Sequence, residues 1–257
     1  MDQIYIPKKR ECFDIGDYVT IRALEEGVEG KSEAGAENPF FYNIKYIEPI
    51  KIEIAQKIIS LIGKYSNNEN IIIMGSFLDE GFCFNDLDII IISEEKCDIE
   101  KLTSLVKEKA GIRAHIMALN KKALFGGLSS DPLYEMMLGR FIAKKRFLYR
   151  VKRKINYKLL DLHLLKSKIL IDNFDYLNGN EKYYLVRNMI AIYLYLRGEK
   201  INNNEVDKEI EYIFHCKINE IKGNIIDKMN FLKKYKEAYR KTFDIILKGI
   251  KNDTKQK

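Results

Sequence analysis

Residues 71–93 read IIIMGSFLDEGFCFNDLDIIIIS, and this stretch limits the possible folds more than any other. Two apolar runs, 71–74 and 86–93, have the length and β-branched content of buried strands. The first ends at Gly75-Ser76, and the second opens on Asp86-Leu87-Asp88. Side chains alternate along a strand, so Asp86 and Asp88 share a face while Leu87 enters the opposite layer. Two like charges this close repel, and burial raises the cost. The pair is tolerable at the exposed end of a strand with a divalent cation to neutralise it. An oxygen-only ligand set suits Mg²⁺, with Mn²⁺ as a substitute, because Mg²⁺ keeps waters and takes phosphate oxygens as partners. Gly75 lets backbone approach a ligand closely. Ser76 adds a hydroxyl and an amide where a helix is expected to start, a place that attracts phosphate. A metal-bound triphosphate needs both halves of this arrangement.

The rest of the 257 residues divide in character near position 150. Before it, apolar runs alternate with helical periodicity. A helix is expected over 50–64 after Pro49, with Ile54, Ile58, Leu61 and Ile62 on one stripe. Asp98 caps a second helix over 99–109, which Gly111 ends, and IRAHIMAL (112–119) reads as a third strand. A helix is expected over 133–143. After 150, amphipathic patterns predict helices over 157–176, 181–197, 204–216 and 218–250, with breaks at Asn178-Gly179 and Gly198. Residues 4–24 read as short β segments, and 25–38 as an acidic, small-residue loop. The expected organisation is α+β: a β segment and linker (1–40), a mixed β-sheet with flanking helices (41–150) and an all-α helical domain (151–257).

Charge follows the same division. Residues 1–139 carry 16 Lys+Arg and 23 Asp+Glu, a net of −7, so the overall +7 leaves +14 for residues 140–257. A basic second half suits a polyanionic partner such as RNA, or a solvated helical surface. RFLYRVKRKINYK (146–158) interleaves cations with aromatics, as phosphate binding and base stacking would require, and as a helix with snorkelling lysines also would. The four cysteines (Cys12, Cys83, Cys97, Cys216) form no CxxC, and with three scattered histidines they give no zinc pattern. No apolar run approaches the roughly 18 residues of a membrane span, and the N-terminus has no secretory h-region. A cytoplasmic protein with reduced thiols is expected.

Strand, Gly-Ser, nine residues, Asp-Leu-Asp and strand together resemble the signature of the DNA polymerase β-type nucleotidyltransferase superfamily, above all its minimal prokaryotic members. The resemblance covers about residues 50–150. It implies the nucleotidyltransferase type of mixed sheet. It also implies an activity: transfer of a nucleoside monophosphate from an NTP, ATP foremost, to a hydroxyl on RNA, a protein or a small molecule, with release of pyrophosphate. Gly75 and Ser76 fall on the family's triphosphate-binding turn, and Asp86 and Asp88 on its Mg²⁺-binding aspartates. Several of these families append a helical domain that covers the site. Arg187, within a tyrosine-rich helix, needs a partner if buried, either an acid or the nucleotide phosphate. The helical half also resembles HEPN-type domains, but His163 and His215 lack the upstream arginine of their RNase motif.

One departure stands out. The family's third carboxylate lies on a later strand, and IRAHIMAL contains no acid. His115 stands near that position. Three readings stay open: a histidine ligand or base, a plain strand histidine on a fold that has lost activity, or an acid from a loop such as Asp79, Glu80 or Asp131. Two alternatives to the enzyme therefore accompany it: a nucleotide-binding regulatory or antitoxin-like module, and a basic RNA-binding protein. The sequence does not reveal the oligomeric state.

Overall fold

Seven isoleucines set the centre of the molecule. Ile71–Ile73 and Ile89–Ile92 are each at most 1% exposed, and complete burial of such a side chain contributes about 1.5–3 kcal/mol. The computed structural model describes residues 38–82 and 84–255. The β segment expected at 4–24, and nearly all of the loop at 25–38, lie outside the described residues. The described residues are α+β, with a five-stranded mixed sheet followed by helices alone.

The sheet is built from β1 (Phe40–Tyr42), β2 (Asn70–Met74), β3 (Leu87–Ile92), β4 (Ala114–Leu119) and β5 (Phe141–Ala143). Their order is β1-β5-β2-β3-β4, and only the β3–β4 pair is parallel. One face carries α1 (Pro49–Tyr65) and α2 (Ile99–Ala110), with Ile58, Ile62, Leu102 and Val106 against Ile71, Ile73, Ile89 and Ile91. The other carries α3 (Lys121–Ser130) and α4 (Pro132–Met137), with Leu124, Leu128 and Leu138 against Ile72, Ile90 and Ile92. Both sheet faces are thus covered, which is why the central strands read as unbroken apolar runs. Asp98 caps α2 by accepting from the Lys101 amide, and Gly111 ends it at φ +68°.

The helical half contains α5 (Tyr157–Ser167), α6 (Ile169–Asp172), α7 (Gly179–Leu196), α8 (Asn203–Phe214), α9 (Ile218–Lys222) and α10 (Lys228–Lys255). Its core surrounds α7, whose Val186, Met189, Ile190 and Leu194 are buried. Met136 of α4 belongs to this core, so the sheet and the helices share apolar contacts. Tyr195 at the far end of α7 donates to Ser129 O at 2.9 Å.

Four expectations need correction. The helix expected over 133–143 stops at Met137, and Phe141–Ala143 instead enters the sheet as β5, between β1 and β2. A three-residue apolar run has no period of its own, and the Phe141 ring, stacked on Tyr42 at 4.4 Å, helps fix it as strand. Helix α3 escaped notice because KKALFGGLSS carries two glycines and two serines, which read as loop. The helix expected over 157–176 divides at Lys168. That expected over 218–250 is interrupted between Lys222 and Lys228, with Asn224 at φ +60°.

Lys51 was also unforeseen. It lies in α1 with no exposed surface. Its Nζ donates to Asp79 O at 2.5 Å and forms an ion pair with Glu48 Oε2 at 3.0 Å, beneath the rings of Phe77, Phe82 and Phe84. Glu48 in turn accepts from Gly81 N at 2.5 Å. Together they tether the segment that joins Gly75-Ser76 to Asp86. Lys51→Ala is expected to lower unfolding stability by about 2–4 kcal/mol, because it deletes a buried stem and strands a backbone carbonyl. Chemical denaturation against Lys107→Ala, an exposed lysine of α2, checks this. Equal losses in the two variants would contradict the tether.

Candidate active site

Backbone pairing places the carboxylates. Met74, the last residue of β2, lies opposite Asp88, and across the parallel pair Asp88 lies opposite His115 of β4. Asp88 therefore stands at the rim where β2 ends and β3 and β4 begin. It shares the face of Ile90 and Ile92, and Asp86, in the bend just before β3, lies near enough for its charge to act on Asp88. The sheet anchors the rim from below: Leu87 is completely buried on the opposite face.

Gly75 and Asp88 interlock. Gly75 sits at φ +82°, and a Cβ at this position would collide with Asp88 Oδ2. Only glycine leaves room for the carboxylate to lie against the turn. The turn is a single 3₁₀ turn, Gly75–Leu78, rather than the start of the α-helix expected after it. A four-residue turn has little macrodipole, so any attraction for an anion comes from its individual amides and from the Ser76 hydroxyl.

The charges at the rim are unbalanced. Burial pushes the Asp88 carboxyl above the usual range. The neighbouring Asp86 adds to the rise, while the hydrogen bond to His115 and the charges of His115 and Arg187 oppose it. His115 Nδ1 lies 3.4 Å from Asp88 Oδ1, and the imidazole is 63% exposed. The other candidate acids are occupied elsewhere. Asp79 pairs with Arg140. Asp131 takes His163 Nε2 at 3.0 Å and caps α4 through Leu133 N. Glu80 is exposed. Among the described residues, no three His, Cys, Asp or Glu side chains converge to hold a metal ion.

Two arginines face acids of this region, Arg187 from the helical half and Arg140 from the sheet half, where it pairs with Asp79. Arg187 of α7 stacks over Tyr184 with its guanidinium 4.7 Å from the ring centroid, and its charge acts on both Asp88 and Asp207. Arg140 precedes β5, and burial lowers its pKa, against the charges of Tyr183 and Asp207. The Nε atoms of Arg140 and Arg187 are both buried without a hydrogen-bond partner. Tyr183 donates to Asp207 Oδ1 at 2.7 Å, and burial raises the Asp207 carboxyl. Arg140, Tyr183 and Asp207 did not stand out in the sequence. A lone cation after Gly139 and an acid in an amphipathic helix carry no local signal, and only the packing of α4 on α7 brings them to the rim.

Asp86, Asp88, the Gly75-Ser76 turn and Arg187 are of the chemical types that a phosphate-rich ligand with a divalent cation uses. The two aspartates supply oxygen donors, and water and phosphate oxygens would complete the coordination of Mg²⁺. No protein-family model matches the chain, and neither the curated proteins nor the solved structures contain a match to it.

Gly75→Ala is expected to destabilise the protein by about 2–4 kcal/mol, combining a left-handed alanine with the clash against Asp88. In the Asp88→Ala background the same change should cost at least about 1 kcal/mol less, because the colliding group is gone. A double-mutant cycle by urea unfolding measures this coupling, and strict additivity would contradict the interlock.

Proposed function

We propose that the chain is a Mg²⁺-dependent nucleotidyltransferase of the polymerase β type, moving a nucleoside monophosphate from an NTP, ATP foremost, to a hydroxyl acceptor. The observation that carries this reading is the interlock of Gly75 with Asp88 at a rim that Asp86 shares. A left-handed glycine that makes room for a desolvated, repelled carboxylate is an unfavourable arrangement in isolation, and strain of this kind concentrates at ligand sites. The nucleotidyltransferase type of sheet, with Asp88 on β3 and Asp86 just before it, belongs to the same proposal.

In this scheme Asp86 and Asp88 hold the cation, which neutralises charge developing on the phosphates. The Gly75 and Ser76 amides and the Ser76 hydroxyl bind the β- and γ-phosphates. Arg187, with its unsatisfied Nε, approaches the triphosphate from the helical side, and Arg140 adds a second cation beside it. The acceptor oxygen attacks the α-phosphorus, the bond to the α–β bridging oxygen breaks, and pyrophosphate departs. The acceptor proton passes to His115 or to solvent. The reaction's demands are thus positioning and charge stabilisation rather than a covalent enzyme intermediate.

The pairing of Asp88 with His115 instead of a third acid favours a second reading, a module that binds nucleotide without turning it over. One experiment separates the two. Incubation with NTPs labelled at the α-phosphate, in Mg²⁺ or Mn²⁺ and with RNA, protein and small-molecule acceptors, is expected to yield labelled product and pyrophosphate. Nucleotide-dependent thermal stabilisation without transfer would select the binding module. Neither stabilisation nor transfer would sink both.

Asp86→Asn/Asp88→Asn is expected to abolish transfer and nucleotide-dependent stabilisation while leaving the free protein as stable as the parent or slightly more so, because it removes repulsion at the rim. A marked fall in the stability of the free protein would assign the carboxylates a structural role instead. Arg187→Met is expected to weaken nucleotide binding by about 10- to 100-fold, the usual consequence of losing a hydrogen bond to a charged group. Isothermal titration with a non-hydrolysable ATP analogue reads this directly.

A further inference from the structure

Residues 136–160 contain nine Lys and Arg and no Asp or Glu. From Lys144 to Asn156 the chain forms neither helix nor strand, yet it is fixed to the fold at four points. The Asn70 side chain donates to Lys145 O at 3.0 Å and accepts from its amide at 2.8 Å. Phe147 is buried on the sheet, and its amide donates to Tyr42 Oη at 2.6 Å. Arg153 grips Glu135 with two nitrogens, at 2.9 and 2.5 Å. The Lys154 amide donates to Ser129 O at 2.7 Å. Between and beyond these anchors, Lys145, Arg146, Arg150, Lys152, Lys154 and Lys158 project into solvent. Among the described residues, none of the six has a carboxylate partner, whereas Arg153 does.

We propose that this pinned strap is a docking surface for single-stranded RNA. A chain that is neither helix nor strand, at most about 3.3–3.6 Å per residue, spaces its exposed cations along its path, as a phosphate backbone spaces its anions. Because the strap is already ordered, binding immobilises little of it. Tyr149, 37% exposed and set between Leu148 and Arg150, offers a ring on which an unpaired base can stack. An anionic membrane is less suited, because surface binding of that kind uses an amphipathic helix with an apolar face, which the strap does not form. The strap also leads toward the candidate active site. The Arg153 guanidinium lies 5.2 Å from the Tyr195 ring centroid, and Tyr195 is two helical turns, about 12 Å, along α7 from Arg187. RNA binding here does not depend on the rim carboxylates and is expected whether or not transfer occurs.

Fluorescence anisotropy of a labelled, unstructured 20-nucleotide RNA, titrated with the full chain over a series of KCl concentrations, tests the proposal. If about four cations engage phosphates, log K against log[KCl] should have a slope of about −3. Replacing Arg146, Arg150, Lys152 and Lys154 by Ser should reduce affinity at least tenfold at moderate salt and flatten the slope. Asp86→Asn/Asp88→Asn should bind as the parent does, which separates this surface from the nucleotide site. A charge-matched control, with Lys233, Lys236, Arg240 and Lys248 of α10 replaced by Ser, should lose little. Equal losses in the strap and α10 variants would overturn the proposal in favour of general charge attraction. Duplex RNA or anionic vesicles bound as tightly as the single strand would also overturn it.

Discussion

A carboxylate held against a glycine is the constraint on which the rest of the site depends. Asp88 lies where a side chain on residue 75 would otherwise be, and it keeps that place because β2 and β3 pair in a register that sets Met74 opposite it. The pairing runs from Asn70 opposite Ile92 to Met74 opposite Asp88. At its far end the Asn70 side chain is held by the Lys145 backbone, which ties the register to the strap after β5. The charge of Asp86 and the burial of Asp88 both disfavour the ionised Asp88 carboxylate at this rim. Under the proposed function a divalent cation would relieve that cost.

The complementary cations come from both halves of the chain. Arg187 and Arg140 arrive from different elements, each with a buried Nε that finds no acceptor in the protein. Buried donors are nearly always satisfied. Under the proposed function, phosphate oxygens of a nucleoside triphosphate would satisfy these two. The Tyr183–Asp207 hydrogen bond holds an acid within electrostatic reach of Arg187, which keeps the guanidinium compensated when nothing else is bound.

Local pattern revealed much of this and missed what depends on tertiary packing. The strands around Gly75-Ser76 and Asp86-Leu87-Asp88 were legible because burial on both faces leaves an unbroken apolar run, and the Asp98 cap and the Gly111 stop of α2 are short-range signals. Strand β5 was read as helix because three residues cannot display a period, and its pairing with β1 and β2 arises from chain more than 60 residues away. Lys51 looked like one more exposed helix lysine; its burial depends on three phenylalanines and a carbonyl from the loop after Gly75. Arg187 was singled out by its apolar surroundings, but Arg140 and Asp207 reach the rim only through the docking of α4 against α7. Of the acids that could stand in for a carboxylate at His115, Asp79 pairs with Arg140 and Asp131 with His163, contacts that no local pattern announces.

The most direct measurement is a crystal structure of the chain with Mg²⁺ and an ATP analogue that cannot be cleaved between the α- and β-phosphates. The account predicts one cation touching oxygens of both Asp86 and Asp88, the β- and γ-phosphates on the Gly75 and Ser76 amides, and Arg187 Nε donating to a phosphate oxygen. A nucleotide bound away from the β2–β3 rim, or a cation that contacts neither aspartate, would contradict it.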